Sequence, residues 1–144
     1  MIVPDANLLL YAYDADSAQH VKARQWVEEV LSGEVPVRFP WQTVGAFLRI
    51  VTNPALRGER FTLREAVAIV DEWLAQPNVR TIGTGEGHWA LLRQTILEGQ
   101  VRGPLMTDAQ LAALTIEYGG TLYTTDRDFS RFPGLRWHNP LMPG

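Results

Sequence analysis

The chain has 144 residues and 46% hydrophobic content, a size and composition that predict one globular domain spanning residues 1–144. Because it contains no cysteine, a disulfide framework, a catalytic thiol and a thiolate metal site are excluded, so oxygen or imidazole would have to hold any metal. The net charge of −3 argues against capture of nucleic acid by a generally basic surface.

Short apolar segments bounded by Pro, Gly or polar residues recur along the chain and are predicted to be strands. These segments are Ile2–Pro4, Val35–Phe39, Val79–Ile82, Leu122–Thr124 and Leu135–Trp137. Each segment is followed or preceded by a longer stretch whose apolar residues recur at helical spacing. Such alternation of short strands and helices predicts an α/β domain with a parallel sheet and right-handed crossovers.

Apolar stripes at helical spacing predict the first helices. One stripe runs from Ala23 to Leu31 and stops at Gly33, and the next runs from Val44 to Val51 and stops at Asn53-Pro54. Both stripes are wide enough to pack one helix face against a sheet.

Two Ser/Thr-x-x-Glu/Gln motifs, each typical of a helix N-terminus, mark the later helices. Thr62–Glu65 is predicted to begin one helix, and Thr107–Gln110 is predicted to cap a buried helix over Leu111–Tyr118. Between them, apolar residues from Trp89 to Ile96 indicate a further helix. Residues 55–61 connect two helices, either as an RNA-contacting loop or as a solvated connection.

Aspartates follow strands or begin helices at the edge where the carboxyl ends of parallel strands meet, which is where such folds bind ligands. They are Asp5, Asp108 and Asp126, with Asp128 as a possible fourth. Each alone has an ordinary explanation as a helix cap, a helix N-terminal acid or a turn residue. Together they would repel one another and raise their own pKa values unless a cation lay between them.

A magnesium ion, or a manganese ion in its place, is the cation that such oxygen ligands suit. A metal held there polarises a phosphate and activates water for in-line attack, so the pattern favours metal-assisted phosphodiester hydrolysis. Arg127 and Arg131 are candidates to contact an anionic substrate beside the metal. An acidic chain can therefore hold a nucleic acid locally.

Three segments make the sequence recognisable: "MIVPDANLLLYA", "FLRIVTNP" and "TDAQLAALTIEYGGTLYTTDRDFSRFPGLRWHNPL". They resemble PIN-domain ribonucleases, and most of all the VapC-type toxins of toxin–antitoxin systems. The resemblance covers essentially the whole chain. It implies a three-layer α/β/α sandwich whose five-stranded, mainly parallel sheet has the strand order 3-2-1-4-5.

The resemblance also implies roles for individual residues. By motif, Asp5, Asp108 and Asp126 match the catalytic, metal-binding aspartates of the family, and Asn7 and Thr125 match small polar positions around them. The family's second acid falls at Ala46, so this glutamate is absent here, and Asp128, Gln42 or a water are the candidates to replace it. Arg49 of the same motif is retained, either to pack or pair with an acid or to contact RNA.

Similarity to VapC toxins implies an endoribonuclease that cuts structured RNA of the transfer or ribosomal class. It also implies a VapB-type antitoxin as partner and a homodimer. No sequence window approaches the ~18 apolar residues of a membrane span, so we expect a cytoplasmic protein without membrane association. The alternative is a PIN-fold module that has lost activity and acts only by binding, which the missing acid at Ala46 favours and the retained aspartates disfavour.

Overall fold

The computed structural model describes residues 1–55 and 61–143, so residues 56–60 of the predicted connecting loop lie outside the described residues. The strands form one sheet in the order β3-β2-β1-β4-β5, and every neighbouring pair is parallel. The five strands are β1 Ile2–Pro4, β2 Val37–Pro40, β3 Val79–Ile82, β4 Thr121–Tyr123 and β5 Trp137–His138. The predicted strand order is therefore confirmed, and the sheet is wholly rather than mainly parallel.

Strand positions agree with the sequence to within two residues. The second strand begins at Val37, directly after Pro36, which has no N–H to donate to the sheet but whose carbonyl oxygen accepts a hydrogen bond from the Ile2 N–H. The last strand is shifted to Trp137–His138, and Leu135, which was expected in it, is buried in the core beside the strand.

Helices connect the strands on both faces of the sheet. They are α1 Ala6–Ala12, α2 His20–Leu31, α3 Trp41–Val51, α4 Leu63–Leu74, α5 His88–Gly99 and α6 Leu105–Glu117, and a short 3-10 helix spans Arg127–Arg131. None of the helices in the described part of the chain has the length and apolarity that a bilayer crossing requires.

Two clusters of buried side chains lie on opposite faces of the sheet, as the neighbouring residues Ile2 and Val3 show by pointing into different clusters. Helices α1 to α4 supply the first cluster, in which Trp73 stacks on Phe39 with ring centroids 5.1 Å apart. Helices α5 and α6 supply the second. This arrangement confirms the three-layer α/β/α sandwich and places the long crossover from β3 to β4 on its own face.

Of the two motifs predicted to mark helix N-termini, one caps its helix and the other does not. Thr62 and Glu65 form the predicted capping box, with the Glu65 N–H donating to the Thr62 hydroxyl at 3.1 Å and the Thr62 N–H donating to the Glu65 carboxylate at 2.9 Å. The expectation that Thr107 caps the buried helix is wrong. Helix α6 begins at Leu105, two residues after Gly103, because Pro104 has the helical backbone angles that start a helix without a side-chain cap.

The earlier start of α6 leaves Asp108 within the first turn of the helix, at the carboxyl edge of the sheet. The body of the helix is buried nearly all round, as the sequence predicts, through residues 109 and 111–115. A helix buried on nearly all sides is held in place by packing rather than by propensity, so packing of the α6 body sets where Asp108 lies.

Candidate active site

The side chain of Asp5 lies where β1 and β4 end beside each other. The backbone N–H of Asp5 donates to the Tyr123 carbonyl at 2.9 Å, which continues the parallel pairing of the two strands by one residue. One carboxylate oxygen, Oδ1, accepts from the Ala6 N–H at 2.8 Å, so Asp5 caps α1. The other, Oδ2, accepts from the Thr124 hydroxyl at 2.8 Å.

Thr124 connects three residues of the site although its side chain is fully buried. Besides donating to Asp5, its oxygen accepts from the Asp126 N–H at 3.0 Å and from the Asn7 amide at 3.3 Å. The Asn7 amide also donates to Thr125 at 3.0 Å. The sequence interpretation named Thr125 and missed Thr124, although a hydroxyl two residues before an aspartate in a turn is a recognisable turn motif.

Three further carboxylates cluster beside this network. Oxygens of Asp108, Asp126 and Asp128 all lie within 4.8 Å of one another. Asp126 caps the 3-10 helix by accepting from the Asp128 N–H at 2.9 Å, which turns the chain so that both side chains approach α6. Asp126 and Asp108 are half-buried, and Asp128 is exposed.

Electrostatic repulsion is concentrated on Asp108. Burial, and after it the charges of Asp126, Asp5 and Asp128, together raise the pKa of Asp108 to about 6, while the charge of Arg131 opposes that rise. Burial also raises the pKa of Asp5, but the hydrogen bonds from Thr124 and Ala6 oppose that rise. The site therefore collects more negative charge than the protein neutralises by itself.

Other expected residues take different positions. The Gln42 amide donates to the Thr107 carbonyl at 3.0 Å, which attaches the start of α3 to the first turn of α6 next to Asp108. Ala46 is half-buried one turn further along α3. Arg49 is exposed in the last turn of α3, about 10 Å along the helix axis from Gln42 at 1.5 Å per residue.

The donor set fits a hard divalent cation. Three carboxylates with oxygens within 4.8 Å of one another repel unless a cation lies among them, and oxygen ligands are those that Mg²⁺ prefers. Beside them the Asn7 side-chain oxygen is buried and accepts no hydrogen bond from the described residues. A buried oxygen that accepts no hydrogen bond from these residues fits a site that takes up a water or an ion.

Comparison with known proteins assigns the chain to a family. A model of the PIN domain matches residues 2–135. The chain is also 36% identical to ribonuclease VapC33 of Mycobacterium tuberculosis over 98% of its own length and 99% of the relative's. It belongs to the VapC ribonucleases of the PIN-domain family. Ribonuclease VapC43 of the same organism is 35% identical, with coverage of 98% and 96%.

Solved structures of VapC proteins share the fold. VapBC2 from Rickettsia felis, bound to a promoter DNA fragment, superposes with a TM-score of 0.70 at 16% identity, over 96% of this chain and 98% of that chain. VapC20 of Mycobacterium tuberculosis, a toxin that cleaves the sarcin–ricin loop, superposes with a TM-score of 0.66 at 21% identity, over 94% and 99%.

At Ala46 the resemblance to VapC toxins implies an acid, and the two side chains considered as its substitutes lie differently in the structure. Asp128 contributes a carboxylate to the cluster, whereas the Gln42 amide nitrogen is engaged with the backbone of α6. Of the two side chains considered as substitutes for the missing acid, Asp128 is the one whose oxygen lies among the other carboxylates.

Proposed function

We propose that this protein is a Mg²⁺-dependent endoribonuclease and the toxin of a type II toxin–antitoxin pair. The observation that carries the proposal is the convergence of Asp108, Asp126 and Asp128, with Asp5 beside them, at one edge of a PIN fold. The 36% identity to a named ribonuclease over nearly the whole chain supports it. Mn²⁺ is expected to replace Mg²⁺, because both take oxygen ligands.

We assign Asp5, Asp108 and Asp126 as the catalytic and metal-binding residues, with Asp128 as an additional ligand in place of the acid missing at Ala46. Asp5 keeps acceptor capacity on both oxygens, because each carboxylate oxygen has two lone pairs and one hydrogen bond occupies only one of them. When bound, the metal polarises the scissile phosphate and lowers the pKa of a water for attack.

The remaining groups orient this centre. Thr124 holds Asp5 and Asp126 in a fixed relation through one buried hydroxyl. Asn7, at the start of α1, donates from its amide both to that hydroxyl and to the hydroxyl of Thr125. Arg131, whose charge acts on Asp108, supplies positive potential next to the position expected for the scissile phosphate. Arg49 is assigned no role in the chemistry, because it lies at the far end of α3.

The experiment is RNA cleavage by protein purified free of partners. Total RNA is incubated with Mg²⁺, Mn²⁺ or EDTA, and the parent is compared with Asp5→Asn and Asp108→Asn. Asp71→Asn, which removes an exposed carboxylate on α4, is the matched control. Discrete products that require metal and both aspartates support the proposal.

Two outcomes contradict the proposal in different ways. Cleavage by both active-site variants at the parental rate would show that the residues are assigned wrongly. An absence of cleavage with either metal would favour the alternative, in which the missing acid at Ala46 has left a binding module without activity. We expect the substrate to be structured RNA of the transfer or ribosomal class, and we expect the protein to act in the cytoplasm.

We propose that a VapB-type antitoxin binds the groove between α2 and α4. Val27, Leu31 and Trp73 line this groove together with the charged residues Arg24 and Glu72, a combination that suits an amphipathic peptide. On co-expression with the antitoxin from the adjacent reading frame, Leu31→Glu should release the partner. Leu97→Glu, a change at an exposed leucine on α5, should not.

A homodimer is proposed from a different face. Trp41 and Trp89 are 57% and 65% exposed at the starts of α3 and α5, and a cleft of about 530 Å³ lies beside Trp41. Exposed tryptophans are enriched at protein interfaces. Sedimentation velocity should show a dimer for the parent and a monomer for a Trp41→Ser, Trp89→Ser variant, while Leu63→Ser on α4 stays dimeric. A monomeric parent contradicts this assignment.

A further inference from the structure

A cleft at the ends of β4 and β5, which we call the β5 cleft, lies beside the carboxylates. Its volume is about 520 Å³, and the residues that line it include Thr125, Arg127, Trp137, His138 and Asn139. No acidic side chain of the described chain lines it. The cleft is therefore cationic and aromatic although it begins one residue from Asp126.

In the sequence, Arg127 lies between Asp126 and Asp128, but its side chain lies at a different part of the surface from their carboxylates. Asp126 and Asp128 approach Asp108, whereas Arg127 lines the β5 cleft. Within residues 1–55 and 61–143, no hydrogen bond or ion pair of Arg127 is found, and the side chain is exposed. Its guanidinium donors are thus open to a ligand, and a planar fork of N–H groups suits a phosphate.

His138 adds a second donor to the same cleft. Its ring packs edge-on against Tyr123, with centroids 5.6 Å apart, and Tyr123 in turn stacks on Trp26 at 5.6 Å. The residue is exposed, so the ring is held by packing while it remains accessible to solvent. A neutral or charged imidazole can donate to a phosphate oxygen through a ring N–H.

The walls of the cleft are fixed by the backbone. The Thr124 N–H donates to the His138 carbonyl at 3.0 Å, which joins the ends of β4 and β5. Asn139 accepts from the Leu141 N–H at 3.0 Å, and Leu141 is buried in the core, which anchors the segment after β5. A ligand bound here meets a surface that needs little ordering.

Hydrogen bonds connect one wall of the β5 cleft to the candidate active site. Thr125, one of its walls, accepts from Asn7, and Asn7 shares the Thr124 hydroxyl with Asp5. A strand of RNA whose scissile phosphate lies at the carboxylates must place its next nucleotide against one side of them. On this side the chain presents positive charge and aromatic surface, which complement a phosphate and a base.

We propose that the β5 cleft binds the nucleotide next to the scissile phosphate. Arg127 and His138 contact the phosphate of that nucleotide, and Trp137 contacts its base. The proposal rests on the ribonuclease function proposed above and extends it to residues outside the carboxylate cluster. These residues determine how tightly RNA is held rather than how fast the bond is broken.

The first test measures binding without cleavage. A fluorescein-labelled five-nucleotide RNA is titrated with each protein in EDTA at several salt concentrations, and anisotropy gives Kd. Arg127→Gln and His138→Gln are compared with Arg93→Gln, which removes an exposed arginine on α5. Arg127→Gln should raise Kd about tenfold and reduce the slope of log K against log salt by about 0.7, the value for one phosphate contact on a single strand.

The second test separates binding from chemistry. With Mg²⁺ and the same RNA unlabelled, Arg127→Gln and His138→Gln should raise KM while kcat stays within about twofold of the parent. Parental Kd, salt slope and KM in both variants, with a parent that cleaves RNA, would overturn the subsite and leave the ribonuclease function standing. A parent that neither binds nor cleaves RNA would overturn both proposals.

Discussion

The candidate site has two halves that handle negative charge differently. In the half around the buried Thr124, the half-buried Asp5 is held by hydrogen bonds at 2.8 Å to each of its oxygens, from Thr124 and from the start of α1. In the open half, Asp108, Asp126 and Asp128 approach one another, and among residues 1–55 and 61–143 the one hydrogen bond that their carboxylates accept comes from the Asp128 N–H to Asp126.

The difference shows how a fold can place several carboxylates together while limiting the loss of folding stability. A buried carboxylate is stable when donors satisfy it, so Asp5 serves the fold as a helix cap as well as the site. In the described part of the chain, the open half has no comparable donors, and burial together with the neighbouring carboxylates raises the pKa of Asp108 to about 6. That half is the part of the site that a metal would stabilise most, because a cation there removes the repulsion.

The largest expected effect comes from the residue that belongs to both halves. Asp126 is bonded through its N–H to Thr124 and through its carboxylate to the Asp128 N–H. We expect Asp126→Asn to lower kcat/KM for RNA by about 1000-fold, because loss of a metal ligand removes several kcal/mol of charge stabilisation. Steady-state cleavage with Mg²⁺ measures this, and Asp71→Asn is the control. A loss below tenfold would show that Asp126 is not a metal ligand.

Removing the buried hydroxyl of Thr124 should disturb both halves of the site, because this hydroxyl bonds to Asp5 and to Asp126. Thr124→Val keeps the shape of the side chain but leaves the Asp5 oxygen without its donor, so we expect kcat/KM to fall about 10- to 100-fold. The free energy of unfolding should fall by about 1–3 kcal/mol, because a buried acceptor loses its partner. Urea denaturation and the RNA assay measure the two effects.

Thr124→Ser is the matched control for that change, because it restores the hydroxyl. Its activity should return to within a few-fold of the parent even though one methyl group is lost from a fully buried position. If Thr124→Val and Thr124→Ser lose activity equally, the effect comes from packing rather than from the hydrogen bonds to Asp5 and Asp126.

The open half should make the stability of the metal-free protein depend on pH. Asp108 has a pKa of about 6 when folded and 3.8 as its ordinary value, so between these values the folded protein binds more protons than the unfolded chain. Stability therefore falls as pH rises from about 4 to about 6, by roughly 1–2 kcal/mol for a half-buried group. Denaturation in EDTA across this range measures the fall.

Asp108→Asn should remove this contribution, since an amide does not titrate in the range. The variant should be more stable than the parent above pH 6 in EDTA, and Mg²⁺ should stabilise the parent more than the variant. A parent and variant with parallel stability curves would contradict the view that Asp108 carries the repulsion of the open half.

Much of this architecture could be predicted from the sequence, for physical reasons that differ between residues. The alternation of strand and helix patterns predicted the α/β class, and the resemblance to PIN-domain proteins predicted the strand order. The position of Asp5 directly after β1 placed it at the carboxyl edge of the sheet. The start of α6 was missed because Thr107–Gln110 satisfies a capping motif, whereas Gly103 and Pro104 set the helix start. A local pattern records a tendency, and packing decides whether it is used.

The internal arrangement of the site was less accessible to sequence reasoning. Thr124 and Thr125 are adjacent and of the same type, but after the end of β4 their side chains meet different partners. Thr124 donates to Asp5, whereas Thr125 accepts from Asn7. Asp128 was one of several candidates for the missing acid, and its place beside Asp108 depends on a turn that the Asp126 cap creates. Both distinctions depend on three-dimensional direction rather than on residue type.

The smallest expected effect separates the two arginines beside the site. The charge of Arg131 lowers the pKa of Asp108, whereas Arg127 lines the β5 cleft. In metal-free protein, Arg131→Gln should therefore move the pKa of Asp108 upward from about 6, because a favourable charge is lost. Arg127→Gln should leave it in place, and NMR titration of the Asp108 carboxyl carbon measures both. Equal shifts in the two variants would mean that the open half responds to net charge alone and that its coupling to Arg131 is not specific.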